Sequence, residues 1–182
     1  MTHPDNFVRR RPNEKYLPEC TQKIVKHPQS VMIWACLDGQ GPGPIYFVEG
    51  TMRQDQYKMI LETVLLPHIA SRNYIDGSFL FMQDSAPCHT AKSVITFLNS
   101  KNIPLLDWPG NSPDLNPIEN VWSTLKSIVY SLDNTNVAKL KENIFNTWHN
   151  DKRIKDMIIK CIQSMPQRIT ECIKAKGCST KY

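Results

Sequence analysis

The chain has 182 residues, of which 41% are hydrophobic and 21% are charged, with a formal net charge of +5. This length supports one domain with a buried core, and the composition is that of an ordinary globular protein rather than a disordered or fibrous one. No stretch approaches the run of about 18 apolar residues that a transmembrane helix needs, and the first residues lack the apolar core of a signal peptide, so we expect no membrane partner.

The charge is unevenly distributed along the chain. Residues 1–30 carry six Lys/Arg against three Asp/Glu, residues 31–119 carry five against nine, and residues 120–182 carry eleven against five. An acidic middle between basic ends suits a metal site flanked by a surface that binds a polyanion. Basic helices with solvated faces would give the same pattern, and charge alone leaves both interpretations open.

Residues 1–30 are predicted to form an irregular basic segment, because prolines punctuate it throughout. Its cluster of Arg9, Arg10 and Arg11 is a candidate contact for phosphate groups. A solvated loop or an unpaired strand edge is the alternative. Beyond this segment we expect an α/β core over residues 31–130 and a helical extension over residues 131–182.

The core is predicted to begin with a β-hairpin. Residues 30–37 and 45–48 are short, apolar and rich in β-formers, and the turn residues between them favour antiparallel pairing. Asp38 precedes a glycine there and is expected to serve the turn. A helix follows, with Thr51 as its expected N-cap and an end near residues 67–69. Its inward stripe has helical spacing: Tyr57, Ile60, Leu61, Val64 and Leu65.

The next predicted strand, residues 77–83, is apolar nearly throughout, which suggests an interior strand of a mixed sheet buried on both faces. It ends at Asp84. A helix over residues 90–100 and a short strand over residues 103–106 follow. A loop then leads to Asn116 and Pro117, which suit the cap and first position of a helix over residues 118–130. Glu119 lies in the first turn of that helix.

The remaining residues are predicted to be helical. Val137, Leu140, Ile144 and Trp148 form the inward face of one helix, and residues 154–162 form that of another. Basic residues, among them Arg168, are expected to lie on the outer faces of these helices.

Asp84 and Glu119, which are separated by 34 residues, are the candidate catalytic residues of the chain. An acid at the carboxyl end of a strand lies where α/β folds place their sites, and a first-turn acid can face the same edge. Hard divalent cations take such oxygen ligands, and a pair of ions needs a third carboxylate nearby. Alternatively, Asp84 caps the next helix and Glu119 interacts with the helix dipole. Spacing alone favours these structural roles.

Several blocks of sequence, in a fixed order, resemble the catalytic domain of Tc/mariner-type transposases. They extend over essentially the whole chain: Val8-Arg9-Arg10-Arg11-Pro12, Ser30-Val31-Met32-Ile33-Trp34, Glu49-Gly50-Thr51-Met52, Gln83-Asp84, Pro87-Cys88-His89-Thr90-Ala91-Lys92, Asp107-Trp108-Pro109, Ser112-Pro113-Asp114-Leu115-Asn116-Pro117-Ile118-Glu119-Asn120-Val121-Trp122, Ile173-Lys174-Ala175-Lys176-Gly177 and Thr180-Lys181-Tyr182. The interval of 34 residues between Asp84 and Glu119 also matches the spacing of that superfamily.

The resemblance implies a ribonuclease-H-like fold, a mixed sheet flanked by helices with a helical C-terminal extension. It implies Mg²⁺- or Mn²⁺-dependent cleavage of DNA at transposon inverted-repeat ends and strand transfer into a TA target, in the nucleus, and it is compatible with a homodimer. Asp84 and Glu119 would be the catalytic metal ligands. Asp114 would shape the loop before the helix. Candidate nucleic-acid contacts are Arg9, Arg10, Arg11, His89, Lys92 and Lys126.

The chain departs from the family pattern in one respect. The first catalytic Asp of the family belongs to an Asp-Glu-Ser block on a first strand, and neither Asp5 nor Asp38 matches it. We therefore expect a sheet that lacks the first strand, an incomplete metal site and a chain inactive on its own. A host-retained nucleic-acid-binding protein that does not cut DNA and an incomplete gene model of an active transposase are the alternatives.

Overall fold

The computed structural model describes residues 30–74, 77–110, 112–178 and 180. Strands β1 (Met32–Asp38) and β2 (Gly41–Val48) form the predicted antiparallel hairpin, with Met32 opposite Val48. The Asp38 carboxylate accepts a hydrogen bond from the backbone N–H of Gln40 at 2.8 Å, which confirms its role in the turn. β2 begins earlier than residue 45 because pairing resumes after an irregularity between Ala35 and Leu37.

A continuous helix packs against the hairpin in three parts, α1 (Gln54–Ile60), a π-helical turn (Leu61–Leu65) and α2 (Leu66–Ser71). Its predicted inward residues Tyr57, Ile60, Leu61 and Leu65 are at most 3% exposed. The N-cap predicted at Thr51 is wrong, since the helix begins after Arg53, which has extended backbone and no side-chain cap bond.

The π-helical turn precedes a proline. The N–H of Leu66 bonds to the carbonyl of Leu61, five residues back instead of four. Pro67 lacks an N–H and its ring would crowd the carbonyl of Thr63 in a regular α-helix. A wider turn at this point lets the helix continue through Pro67 to Ser71.

The strands predicted at residues 77–83 and 103–106 do not form regular ladders. Among the described residues these two segments share a single parallel bridge, in which the N–H of Phe81 donates to Pro104 at 2.9 Å and that of Leu106 to Phe81 at 2.8 Å. Burial on both faces is also wrong, since Leu80 is 57% exposed. Residues 79–84 also line a cavity, and no other described segment pairs with them.

The helix predicted at residues 90–100 forms as α4 (Lys92–Ser100) and begins two residues later than expected, because Ala91 has extended backbone with ψ of 136°. A separate short helix, α3 (Pro87–Thr90), precedes it. Helix α5 (Pro117–Tyr130) begins as expected. The side chain of Asn116 caps it by accepting from the N–H of Ile118 at 3.3 Å.

The C-terminal part of the chain is helical, as predicted, and consists of α6 (Val137–Asn150), α7 (Lys152–Gln163) and α8 (Met165–Lys174). Leu140, Ile144 and Trp148 of α6 are buried, whereas Val137, the first residue of that helix, is 42% exposed. In the part of the chain that the structure describes, no helix has the length and apolarity to cross a bilayer.

The hairpin separates two hydrophobic clusters because successive residues of a strand point to opposite faces. Trp34 packs with α1, the π-helical turn and α4 on one face. Ala35 packs with α5, α6 and α7 on the other. The indole N–H of Trp148 donates to the carbonyl of Gly43 at 2.8 Å and joins α6 to β2. Helices therefore cover both faces of a small sheet.

Candidate active site

A cavity of about 610 Å³ lies between β1 and residues 79–84, and the start of α5 closes one side. This volume is typical of ligand-binding pockets. Asp84 and Glu119 both line the cavity. The fold therefore brings to one cavity the two acids that the sequence singled out.

The carboxylate of Asp84 is fixed through one oxygen. Its Oδ1 accepts from the backbone N–H of Ala86 at 3.0 Å and lies 2.6 Å from Nδ1 of His89. Among the described residues no donor contacts Oδ2, and the side chain is 55% exposed. Asp84 thus stabilises the turn before α3, but it is not the cap expected from spacing, because α3 begins after Ala86 and has no side-chain cap bond. The second oxygen of Asp84 stays available to a ligand.

His89 is held in place from its other side by two residues that the sequence analysis did not assign to the site. The ring of Tyr57 packs against the ring of His89 with centroids 4.1 Å apart. The hydroxyl of Tyr57 donates to Oε1 of Gln83 at 2.6 Å, and Nε2 of Gln83 donates to the carbonyl of His89 at 3.1 Å. Burial raises the pKa of Tyr57 above its ordinary value, so the hydroxyl remains a donor at neutral pH.

The sequence contains a weak indication of the importance of both Tyr57 and Gln83. Tyr57 was predicted only as a member of the inward stripe of its helix. Gln83 immediately precedes Asp84 in the block that resembles the transposase family. Neither signal could reveal the hydrogen bonds, because these cross between elements that are distant in sequence.

Glu119 lies in the first turn of α5, and its backbone N–H bonds to the carbonyl of Asn116 at 3.2 Å. Its carboxylate is exposed and makes no hydrogen bond or ion pair with a described residue. Near a helix N-terminus a negative charge is favourable. Asp84 and Glu119 thus offer oxygen atoms that remain free for a cation.

Two further acids, Asp38 and Asp114, already have partners. Asp38 pairs with Arg72 at 2.9 Å and lies 3.5 Å from His68. Asp114 accepts two hydrogen bonds from Thr180, which lower the pKa of its carboxyl. Over residues 30–74, 77–110, 112–178 and 180, no three His, Cys, Asp or Glu side chains gather as a metal cluster.

The candidate nucleic-acid contacts fall in different places. His89 is a direct neighbour of Asp84. Lys92 is exposed at the start of α4, and Lys126 is half-buried on α5. Arg9, Arg10 and Arg11 lie outside the described residues.

Chemically, two carboxylates that line one cavity are suited to a hard divalent cation. Mg²⁺ and Mn²⁺ favour carboxylate oxygens, and Mg²⁺ commonly takes only one or two of them from a protein. Asp84 and Glu119 fit such an ion as two ligands of a larger set.

Sequence comparison finds relatives over most of the chain. The DDE superfamily endonuclease family matches residues 8–144. The transposase of the transposable element Tc1 from Caenorhabditis elegans is 36% identical over 180 residues, which cover 98% of this chain and 64% of the relative. The Tcb1 transposase of Caenorhabditis briggsae is 34% identical over 178 residues, or 97% of this chain and 63% of the relative. The chain therefore spans less than two thirds of the length of these relatives.

Solved structures share the fold at lower sequence identity. The Mos1 transposase catalytic domain, determined with raltegravir and Mg, superposes with a TM-score of 0.74 at 18% identity, over 83% of this chain and 77% of that one. The Mos1 mariner paired-end complex with Mn gives a TM-score of 0.77 at 17% identity, over 99% of this chain and 52% of that one. These likenesses confirm the ribonuclease-H-like α/β fold class expected from the sequence. The chain belongs to the DDE superfamily endonucleases and, within them, to the Tc/mariner transposases.

Proposed function

We propose that this chain carries part of the catalytic site for metal-dependent DNA strand cleavage and strand transfer in cut-and-paste transposition. The observation that carries the proposal is that Asp84 and Glu119 line one cavity with carboxylate oxygen atoms that no described residue contacts. Membership of the transposase family and the DNA held in the related Mos1 complexes support DNA as the substrate.

In this proposal Asp84 and Glu119 hold Mg²⁺ or Mn²⁺, as the ions in the related Mos1 structures suggest. A bound divalent ion would supply Lewis-acid polarisation of the scissile phosphate. His89 orients the carboxylate of Asp84 through its Nδ1, and Gln83 and Tyr57 hold His89 in turn. Apolar residues of β1, among them Ile33 and Leu37, line one side of the cavity.

We further propose that the site is incomplete and that the chain does not cut DNA unaided. A pair of metal ions needs a third carboxylate that bridges or balances them, and Asp84 and Glu119 supply only two. Asp38, the nearest additional acid on β1, is held by Arg72 and does not complete the set. We expect weak metal binding and little strand cleavage.

Metal binding tests the two ligands directly. In a titration with Mn²⁺ followed by electron paramagnetic resonance, the unmodified chain should bind weakly, and Asp84→Asn and Glu119→Gln should each abolish binding. Glu62→Gln is the matched control, because Glu62 is an exposed carboxylate outside the cavity. Binding that survives both site substitutions would refute the assignment of these ligands.

A nicking assay tests the incompleteness. Supercoiled DNA that carries inverted repeats, incubated with the chain and Mg²⁺, should remain essentially uncut. Robust cleavage that is lost on Asp84→Ala would show that a third ligand is present and would overturn this part of the proposal.

A second candidate function is DNA binding without cleavage. Its supporting observation is a group of exposed basic residues on or after α7 and α8: Lys152, Arg153, Lys155, Lys160, Lys174 and Lys176. Salt-sensitive binding to duplex DNA that survives the combined substitution of Asp84 and Glu119 by alanine would favour this function. Binding lost with the two acids would favour the metal site.

The cellular setting follows from the substrate. We propose a nuclear location, because the chromosomal DNA that a transposase cuts lies there. We also propose a homodimer that brings two transposon ends together and a TA dinucleotide as the target. Light scattering of the chain with end DNA, and sequencing of joined products from a complete protein, would test these two points.

A further inference from the structure

The side chain of Arg168 on α8 is buried, with 3% of its surface exposed. Its guanidinium reaches two other parts of the chain. Nη1 donates to the backbone carbonyl of Asp114 at 2.8 Å, and Nη2 donates to Oδ1 of Asn120 at 2.8 Å. Nε donates to the hydroxyl of Ser164 at 2.9 Å within its own helical region. Arg168 is therefore not exposed on an outer face of the helices, contrary to the expectation from the sequence.

A second contact joins the same regions. Oδ2 of Asp114 accepts from both the backbone N–H and the hydroxyl of Thr180, at 2.9 and 2.7 Å. Thr180 belongs to the last block that resembles the transposase family, and Arg168 also lies beyond residue 144, where the family match ends. We call these contacts of Arg168 and Thr180 the C-terminal brace.

The brace acts on the start of α5. Asp114 lies two residues before the N-cap Asn116, and Asn120 follows Glu119 directly. Arg168 thus holds one residue on each side of the first turn of α5, the turn from which Glu119 reaches the cavity. A helix that begins after a loop has few intrahelical bonds in its first turn, so external contacts largely determine its position.

Arginine suits this role better than another cation. Its planar guanidinium directs five N–H groups outwards, so that one side chain can serve acceptors on three segments at once. A lysine ammonium at the same place would be a point charge and could not reach all three acceptors in the same geometry.

We propose that Arg168 is a positioning residue for Glu119, and that the C-terminal brace sets the distance of the Glu119 carboxylate from Asp84. The proposal rests on the proposed function, in which Glu119 is a metal ligand. It assigns to α8 and Thr180 a part in the site, although the family match ends at residue 144, before both.

The first test measures the local effect of the brace without metal. Arg168→Gln and the milder Thr180→Ala are compared with the unmodified chain by hydrogen exchange, under conditions where circular dichroism shows all three folded. Exchange at the amides of residues 115–120 should rise about tenfold or more in the variants, while α6 stays protected. Arg53→Gln is the matched control, since Arg53 is exposed and outside the cavity.

The second test measures the site. With Mn²⁺ as the probe, both brace variants should weaken binding about tenfold, the usual effect of removing an outer partner of a ligand. Arg168→Lys should restore this affinity only partly, and Arg53→Gln should leave it unchanged.

The outcomes separate the two proposals. If exchange rises equally in α6, or if Mn²⁺ affinity is unchanged while residues 115–120 loosen, Arg168 is a general stabiliser and the positioning role is overturned. If the unmodified chain shows no Mn²⁺ binding that depends on Glu119, the proposed metal site fails. In that case local exchange alone decides whether the brace positions the first turn of α5.

Discussion

His89 donates its Nδ1 hydrogen to Oδ1 of Asp84 across 2.6 Å, and the same carboxylate oxygen accepts from the N–H of Ala86. An ionised carboxylate only accepts hydrogen bonds, so the imidazole must carry a proton on Nδ1. The bond occupies one oxygen of Asp84 and directs the other away from the turn. Asp84 therefore stabilises the turn with one oxygen, while no described residue contacts the other, so its structural role is compatible with the proposed role of metal ligand.

This relationship predicts the effect of changing His89. His89→Leu removes the donor and should weaken Mn²⁺ binding about tenfold, since a ligating carboxylate depends on its outer hydrogen bond for orientation. His89→Asn offers an amide donor near the position of Nδ1 and should recover most of the affinity. His149→Asn, on α6, serves as the control. Equal affinities for the leucine and asparagine variants would contradict the orienting role.

The contact between Asp114 and Thr180 predicts a dependence of stability on pH. Hydrogen bonds from Thr180 hold the pKa of the Asp114 carboxyl below its ordinary value of 3.8. A carboxyl with a depressed pKa stabilises the fold above its unfolded pKa and loses this contribution as the pH falls through the folded one. Asp114→Asn should therefore lower the free energy of unfolding at pH 7.

The deficit of the Asp114→Asn variant should shrink below about pH 4, where the unmodified carboxyl becomes protonated as well. Urea unfolding at a series of pH values measures this difference. Asp133→Asn, at an exposed acid between α5 and α6, should show no comparable trend. A deficit that is constant from pH 7 to pH 3 would show that the charge of Asp114 is not what stabilises the fold.

The packing at Gly43 predicts a steric effect. A Cβ at this position would lie 2.6 Å from Sγ of Cys36 and 2.9 Å from its carbonyl oxygen. Gly43→Ala should cost about 1–3 kcal/mol of stability, as overpacked cores do, because backbone cannot move aside cheaply. Gly39→Ala is the control, since nothing lies within 4 Å of its Cβ. Thermal unfolding of both variants measures the contrast, and similar melting temperatures would contradict it.

The environment of Cys36 predicts low thiol reactivity. Burial, and secondarily the charge of Asp38, raises the pKa of the Cys36 thiol to about 12. Because the thiolate is the reactive form, Cys36 should resist iodoacetamide at pH 8 in the folded chain. Cys178 is exposed and should be labelled first. Mass spectrometry of peptides after short labelling gives both rates, which should become similar in denaturant.

Local signals in the sequence predicted the start of α5 and the hairpin. Asn116 and Pro117 have side chains that suit only a few helix positions, and residues 30–48 combine strand-forming residues with a clear turn. The positions of these two elements in the chain are determined mainly by the residues within them. The common cavity of Asp84 and Glu119 was expected from the resemblance rather than from spacing, because spacing alone favoured structural roles at two separate helix starts.

Other features depend on neighbours that a local pattern does not show. Residues 77–83 have the composition of a strand, but a regular strand needs partners on its edges, and in the described part of the chain only Leu105 bridges to Phe81. Arg168 resembles any surface cation in sequence. Its burial depends on acceptors from Asp114 and Asn120, about 50 residues away in the chain.

The π-helical turn at Leu61–Leu65 has a consequence for the spacing of the helix that contains it. Such a turn holds about one residue more than an α-turn, which is equivalent to a one-residue insertion that rotates the following helix by about 100°. His68 and Arg72 lie beyond this insertion, and both face Asp38. Deleting a single residue between 61 and 65 would turn them away from β1 while leaving Tyr57 and Ile60 in the core. A deletion of one residue would therefore uncouple the end of the hairpin from the helix packed against it without changing any of the residues that form these contacts.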